Sequence, residues 1–161
     1  MEGLILPPRI EEKLKALAER EGRTPDEVVI EALDKTFGLL DPDERADVHW
    51  ELCERYLEEA RRLLSEGDFV QASEKAWGAA AQALKAVAAR EGRELRSHGE
   101  LWRFASELRG RMGDEELGAL WHTANALHIN FYENWMPPEE VRLDIERVGR
   151  FVEKLKAIAG R

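Results

Sequence analysis

The chain has 161 residues, which fits one domain of ordinary size, with or without a small appendage, and excludes a second large domain. Alanine, leucine, glutamate and arginine are abundant and only two tyrosines occur, so the composition excludes a strand-rich protein and predicts an all-α fold. The formal net charge of −9 opposes non-specific attraction to a phosphate backbone, which depends on clustered lysine and arginine side chains.

Residues 1–40 look like a separate small unit. Pro7-Pro8 predicts the start of a helix that ends at Gly22, and the capping box from Thr24 to Glu27 predicts the start of a second helix. The short apolar run Leu4–Leu6 is compatible with one short strand before them. We therefore expect a helical hairpin that serves in dimerisation or docking.

The same residues resemble a ribbon-helix-helix unit, a small dimeric DNA-binding fold, in the pattern PP-x-I-x3-L-x2-L-A-x3-G-x-[ST]-x-x-E-V. The resemblance implies major-groove reading by polar side chains on a paired strand. The candidate strand offers only Glu2, Gly3 and aliphatic residues, which read bases poorly. A DNA-binding regulator acting through residues 1–40 is therefore the least favoured interpretation, and DNA is an unlikely partner.

Residues 41–161 predict an up-and-down helical bundle. Asp41 begins a helix that runs to about Glu66, and Gly67-Asp68 separates it from a helix over residues 69–90 whose small apolar residues allow close helix packing. Three further helices follow. The first begins near Ser97 and ends at Leu108, the second begins near Asp114, and the third begins at Pro137-Pro138.

The segment LWHTANALHINFYENW, residues 120–135, combines aromatic, histidine and asparagine side chains that a plain core helix does not need. At about 100° per residue, two neighbouring stripes of one helix carry these side chains. The first stripe holds Trp121, Asn125, His128, Tyr132 and Trp135, and the second holds His122, Ile129 and Glu133. We take this segment as the candidate binding site or interface, with His128 at its centre.

Three segments resemble the archaeal PaREP family, which belongs to the HEPN superfamily of helical bundles: residues 54–83, which contain QASEKAWGAAAQA, then SHGELW at 97–102 and LHINFYENW at 127–135. The resemblance spans roughly residues 41–157. It implies an archaeal, HEPN-like bundle that forms a homodimer. Many relatives act in toxin–antitoxin or defence systems, and the catalytic ones are metal-independent ribonucleases.

Those ribonucleases use an arginine followed four to six residues later by a histidine. The histidine moves the proton of the attacking 2′-hydroxyl, and the arginine stabilises charge on the phosphate. His128 occupies the matching position, but Trp121, His122 and Thr123 stand where the arginine is expected, so the motif is incomplete. A protonated His122 is one candidate substitute, although an imidazole carries only part of a charge near neutral pH.

Arg93 and His98 do satisfy the spacing, but they fall in a connection between helices, where His98 is more simply a residue at a helix start. The residues from Lys85 to Arg111 are mildly basic, so RNA remains a possible partner.

The preferred interpretation is a homodimeric binding or regulatory module, with a partner protein if it belongs to a toxin–antitoxin pair. The alternative is a divergent ribonuclease that uses His128, with His122 or an arginine of this basic segment supplied across the dimer.

The sequence predicts no metal and no cofactor. It has no glycine-rich phosphate loop and no cysteine or histidine cluster, and its single cysteine, Cys53, excludes an intramolecular disulfide. No signal peptide and no apolar stretch of ~18 residues occurs, so we expect a cytoplasmic protein without a membrane segment. The high charged fraction and the scarcity of asparagine and glutamine are typical of thermophilic proteins.

Overall fold

The computed structural model describes residues 3–161, and all regular structure in that range is helical. The helices run over Pro8–Glu21 (α1), Pro25–Phe37 (α2), Pro42–Ser65 (α3), Phe69–Arg90 (α4), His98–Met112 (α5), Glu115–Glu133 (α6) and Pro138–Ile158 (α7). The all-α prediction is confirmed. The described residues 3–7 form no strand, because a strand needs a hydrogen-bonded partner and no described residue supplies one.

The predicted helix starts follow from side-chain caps. Thr24 and Asp41 each complete a capping box, in which the side chain accepts a hydrogen bond from the third helical amide and a glutamate returns the bond. Ser97 and Asp114 are the caps of α5 and α6, and the side chain of each accepts a hydrogen bond from one amide of the first turn. The predicted end of α5 at Leu108 is four residues short, since the helix continues until Gly113 adopts φ +61.

Helix α4 is the centre of the bundle and packs against α3, α5, α6 and α7. Its core consists largely of alanines with almost no exposed surface, among them Ala80 and Ala83. Small side chains let the neighbouring helices approach closely, as the sequence predicted. The approach is tightest at Gly78, where a β-carbon would lie 3.2 Å from Cδ2 of Tyr56 on α3.

Polar contacts connect the hairpin of α1 and α2 to the bundle. The Lys85 ammonium on α4 donates hydrogen bonds to both carboxylate oxygens of Glu27 on α2, at 2.9 and 2.8 Å, and both side chains are buried. The Tyr56 hydroxyl lies 2.8 Å from Thr24 Oγ1 and donates to Asp26 Oδ2 at 2.7 Å. The start of α2 is thereby held against α3 and α4.

Within residues 3–161, the helices are all too short or too polar to cross a membrane.

Candidate functional site

Four side chains from three helices form what we call the histidine cluster: Glu74 and Trp77 on α4, His98 at the first position of α5, and His128 on α6. The His128 ring stacks on the Trp77 ring, with centroids 4.0 Å apart and planes inclined by 21°. The His98 centroid lies 5.2 Å from that of His128 and 5.5 Å from that of Trp77. Folding thus brings together two histidines that are thirty residues apart in sequence.

Glu74 orients His128. The two atoms that face each other are Nδ1 of His128 and Oε2 of Glu74, at 2.8 Å. An ionised carboxylate only accepts hydrogen bonds, so Nδ1 carries the hydrogen, and Nε2 of the neutral ring is left as the proton acceptor. His128 is half-buried, with 18% of its side chain exposed. The ring therefore has a fixed tautomer, a fixed plane and access to solvent.

His98 is held neutral by its surroundings. Burial, in the first place, lowers its pKa below the ordinary 6.5, and the neighbouring His128 and Lys85 lower it further. A neutral imidazole at pH 7 still has one N–H to donate and one nitrogen to accept a proton. His98 can therefore bind or relay a proton beside His128, but it does not supply a permanent positive charge.

Tyr132 lies one turn after His128 on α6, with its ring edge towards the His128 ring at a centroid distance of 5.3 Å. It is 48% exposed. Burial of part of the ring, followed by the negative charges of Glu74 and Glu19, raises the pKa of Tyr132 to about 12. Its hydroxyl therefore keeps its proton at neutral pH, at the rim of the cluster.

The other predicted residues on α6 lie away from this cluster. Trp121 is buried against Phe151, and the exposed His122 packs its ring edge-on against Trp102, with centroids 4.8 Å apart. Asn125 donates a hydrogen bond from Nδ2 to the carbonyl of Trp121 at 2.8 Å, within its own helix. The side chains of His122 and His128 thus point to different faces of α6, and His122 lies against Trp102 rather than in the histidine cluster.

Trp135 does not belong to the helical stripe on which we placed it. Helix α6 ends at Glu133, and Asn134 takes a left-handed conformation with φ 48°. The side-chain oxygen of Asn130 accepts hydrogen bonds from the amides of Trp135 and Met136, at 3.0 and 2.7 Å, and so holds the turn. Trp135 projects from this turn with 53% of its surface exposed, and Glu133 is also exposed.

Arg93 makes other contacts than the one its spacing to His98 suggested. Its guanidinium pairs with Glu107 and lies over the ring of Phe104, 4.7 Å from the centroid. Both partners lie on α5 beyond the first turn. Arg93 is therefore engaged along α5 and does not form an arginine–histidine pair with His98.

The sequence reasoning did not anticipate the contacts of Trp77 and Glu74 with His128. The ring of Trp77 is buried, and one of its faces stacks on the ring of His128. The signal that would have revealed the contact is the pairing of α4 with α6, which depends on the tertiary arrangement of the bundle. Glu74 precedes Trp77 by three residues and so shares its helix face.

A cavity of about 240 Å³ lies between α2, α3 and the connection from α4 to α5. Apolar side chains such as Ile30, Val48 and Leu52 form part of its lining. The charges around it largely pair with one another: Arg23 with Glu31, Arg45 with Asp34, Lys85 with Glu27, and Arg96 with Glu94. Most of the charge around the cavity is therefore paired.

The described residues contain no group of three or more histidine, cysteine or carboxylate side chains placed to hold a metal ion. The chemistry that the histidine cluster can perform is proton transfer: an oriented imidazole next to a second, neutral imidazole. That is a suitable arrangement for general acid–base catalysis, which needs a proton acceptor held in position beside the substrate.

Comparison with known proteins assigns the bundle to a family. The model of the archaeal PaREP1/PaREP8 family matches residues 48–152. A crystal structure of a protein from Sulfolobus solfataricus is 31% identical, with a TM-score of 0.58, and the match covers 65% of this chain and 92% of that chain. No curated protein matches.

Proposed function

Because this chain belongs to the archaeal PaREP1/PaREP8 family, whose bundle here carries an oriented histidine pair, we propose that it cleaves RNA without a metal ion. One observation carries the proposal: Glu74 fixes His128, and His98 lies beside it with a ring centroid 5.2 Å away. Two imidazoles and a carboxylate from three helices are more than a buried histidine needs for hydrogen bonding. They are what proton transfer at a phosphodiester requires.

The reaction proceeds by attack of a ribose 2′-hydroxyl on the adjacent phosphorus. Nε2 of His128 accepts the hydroxyl proton while the 2′-oxygen forms its bond to phosphorus, and Glu74 stabilises the imidazolium that results. The bond from phosphorus to the 5′-oxygen breaks, and the imidazolium returns the proton to that leaving oxygen. The products are a 2′,3′-cyclic phosphate and a free 5′-hydroxyl.

His98 donates its N–H to a phosphate oxygen in this scheme. It replaces only part of the stabilisation that an arginine gives, because a neutral ring lacks the charge and the forked geometry of a guanidinium. We therefore expect slow cleavage.

The test is RNA cleavage by the purified protein in EDTA, on structured and single-stranded RNAs. His128→Ala should abolish cleavage, whereas His122→Ala, a matched change of an exposed histidine on the same helix, should leave the rate unchanged. Equal rates for the two variants, or no cleavage at any protein concentration, would contradict the proposal.

A second candidate function is a homodimeric, HEPN-like binding or regulatory module in a toxin–antitoxin or defence system. Exposed apolar side chains favour it: Ile129, Tyr132 and Trp135 are each about half exposed on the C-terminal end of α6 and the turn after it. Burial of such a surface in a second copy, or in a partner protein, would remove apolar area from water.

The oligomeric state tests the dimer directly. Wild-type protein should have the mass of two chains by light scattering, and Trp135→Glu should shift it towards one chain. Met112→Glu is the control, because Met112 is similarly exposed but lies at the far end of α5. A single-chain mass for the wild type would exclude the dimer.

A further inference from the structure

The turn between α1 and α2 closes one side of the histidine cluster. Gly22 ends α1 in a left-handed conformation, with φ +64, and faces the His98 ring. A β-carbon at this position would lie 3.0 Å from Cδ2 and 3.1 Å from Nε2 of His98, closer than side chains normally pack. The Nε2 edge of His98 is therefore covered by the backbone of the N-terminal hairpin.

A second contact lies on the same side. The carboxylate of Glu19, in the last turn of α1, is close enough to Tyr132 that its charge contributes to the raised pKa of the phenol. Tyr132 in turn borders His128. The end of α1 thus lies next to His98 and to Tyr132, which borders His128.

Mainly polar contacts attach the hairpin to the bundle. In α1 and α2, Ala18 and Val28 are the fully buried apolar side chains, while Phe37 and Leu33 remain exposed. The attachment includes the Lys85–Glu27 and Arg45–Asp34 ion pairs and the bonds of the Tyr56 hydroxyl, with the partly buried Ile30 packed against the core. Polar groups of this kind exchange their partners for water at a much smaller net free-energy cost than buried apolar side chains.

Two further observations distinguish the hairpin from the bundle. The cavity of about 240 Å³ lies beneath α2, so this helix is not closely packed on the bundle along its length. The family match begins at residue 48, after the hairpin. A helical hairpin that is attached by polar groups and has a cavity beneath it can separate from the bundle more readily than a helix of the core can.

We propose that the hairpin is a movable cover on the histidine cluster, closed by the contact of Gly22 with His98 and opened to admit substrate. The inference rests on the proposed function for its purpose, since a cover regulates access only if the cluster acts on a ligand. The cover itself is a separate physical claim and can be tested without any activity.

The test compares Gly22→Ala with Gly38→Ala in the full chain. Both glycines are helix C-caps with nearly equal left-handed φ angles, 64° and 62°, so an alanine adds similar backbone strain at each. Only at Gly22 does the added methyl group meet His98, because nothing lies within 4 Å of the corresponding position at Gly38. The difference between the variants therefore reports on the cover.

The readout is the rate of carbethoxylation of each histidine by diethylpyrocarbonate, measured by mass spectrometry. In the wild type His98 should react much more slowly than the exposed His122. Gly22→Ala should raise the His98 rate several-fold, and Gly38→Ala should not. Cys53, which is fully buried in the core of the bundle, should stay unreactive towards a thiol reagent in every variant and shows that the bundle is folded.

Tyr56→Phe is the second variant, used in case Gly22→Ala does not fold. It keeps the ring in the core and removes the hydroxyl bonds to Thr24 and Asp26, so it should also raise the His98 rate. Wild-type reactivity of His98 equal to that of His122, or no rise in the folded variants, would overturn the cover. A rise without RNA cleavage in EDTA would keep the cover and reject the ribonuclease.

Discussion

Asn130 shows how one buried polar side chain shapes the end of the candidate site. Its Oδ1 accepts hydrogen bonds from the amides of Trp135 and Met136, and its Nδ2 donates to Ser73 Oγ at 3.0 Å. This one residue stops α6, sets the turn that leads to α7 and ties the turn to α4. The position of Trp135 therefore depends on Asn130 rather than on the helical periodicity.

Asn130→Ala should lower the free energy of unfolding by about 1–3 kcal/mol, because it leaves the buried amide of Met136 without its hydrogen-bond partner. Urea denaturation measures the effect. Asn125→Ala is the control, with a change below about 0.5 kcal/mol, since Asn125 bonds only to a carbonyl of its own helix. Equal destabilisation by the two variants would contradict this role of Asn130.

The starts of the helices could be predicted residue by residue, whereas the histidine cluster could not. Thr24, Asp41, Ser97 and Asp114 act on amides within three residues, so a local pattern is sufficient to identify them. The contact of His98 with His128 depends on how α5 is placed against α4 and α6. No pattern in a single sequence reports that placement.

At the scale of the elements, α4 determines the geometry of the site. It carries Glu74 and Trp77 on one face, Lys85 towards α2, and alanines towards its neighbours. Because Trp77 lies on α4 and His128 on α6, a larger distance between these two helices would separate the two rings. The small side chains that the sequence predicted for packing thus also set the dimensions of the histidine cluster.

Ala83→Leu should destabilise the protein by about 1–3 kcal/mol, because the added carbons have no space on the fully buried face of α4. Thermal unfolding followed by circular dichroism measures the loss. Ala32→Leu, a matched change at an exposed position of α2, should alter stability by no more than about 0.5 kcal/mol. Tolerance of leucine at position 83 would show that the bundle is less closely packed than described.

At the scale of the whole molecule, buried titratable groups link stability to pH. Burial lowers the pKa of His49 and of His98 below 6.5. Burial alone would raise the pKa of Glu27, but the opposing charge and hydrogen bonds of Lys85 outweigh it and leave the pKa below 4.5. The folded protein therefore favours neutral histidines and an ionised Glu27.

The free energy of unfolding should consequently fall in two steps as the pH decreases. Below pH 6.5 the unfolded chain binds protons at His49 and His98, whereas the folded chain does not until the pH reaches the lowered pKa values of the folded state. The contribution of the two neutral histidines to the free energy of unfolding is therefore complete above pH 6.5 and decreases as the pH falls towards those lower values. A second loss follows below pH 4.5, where unfolded Glu27 protonates first. Urea denaturation over a pH series measures both steps.

His49→Gln should reduce the first step, because it removes one of the two histidines that take up protons only on unfolding. A free energy of unfolding that stays constant from about pH 7 to pH 5 would contradict the neutral, buried state of these rings.

Product analysis tests most directly whether the histidine cluster moves protons in RNA cleavage. RNA incubated with the wild-type protein in EDTA should yield fragments that end in a 2′,3′-cyclic phosphate, and DNA of the same sequence, which lacks the attacking 2′-hydroxyl, should remain intact. Glu74→Gln should slow the reaction, and His128→Ala should stop it. Cleavage that persists in His128→Ala, or intact RNA with excess wild-type protein, would contradict the account.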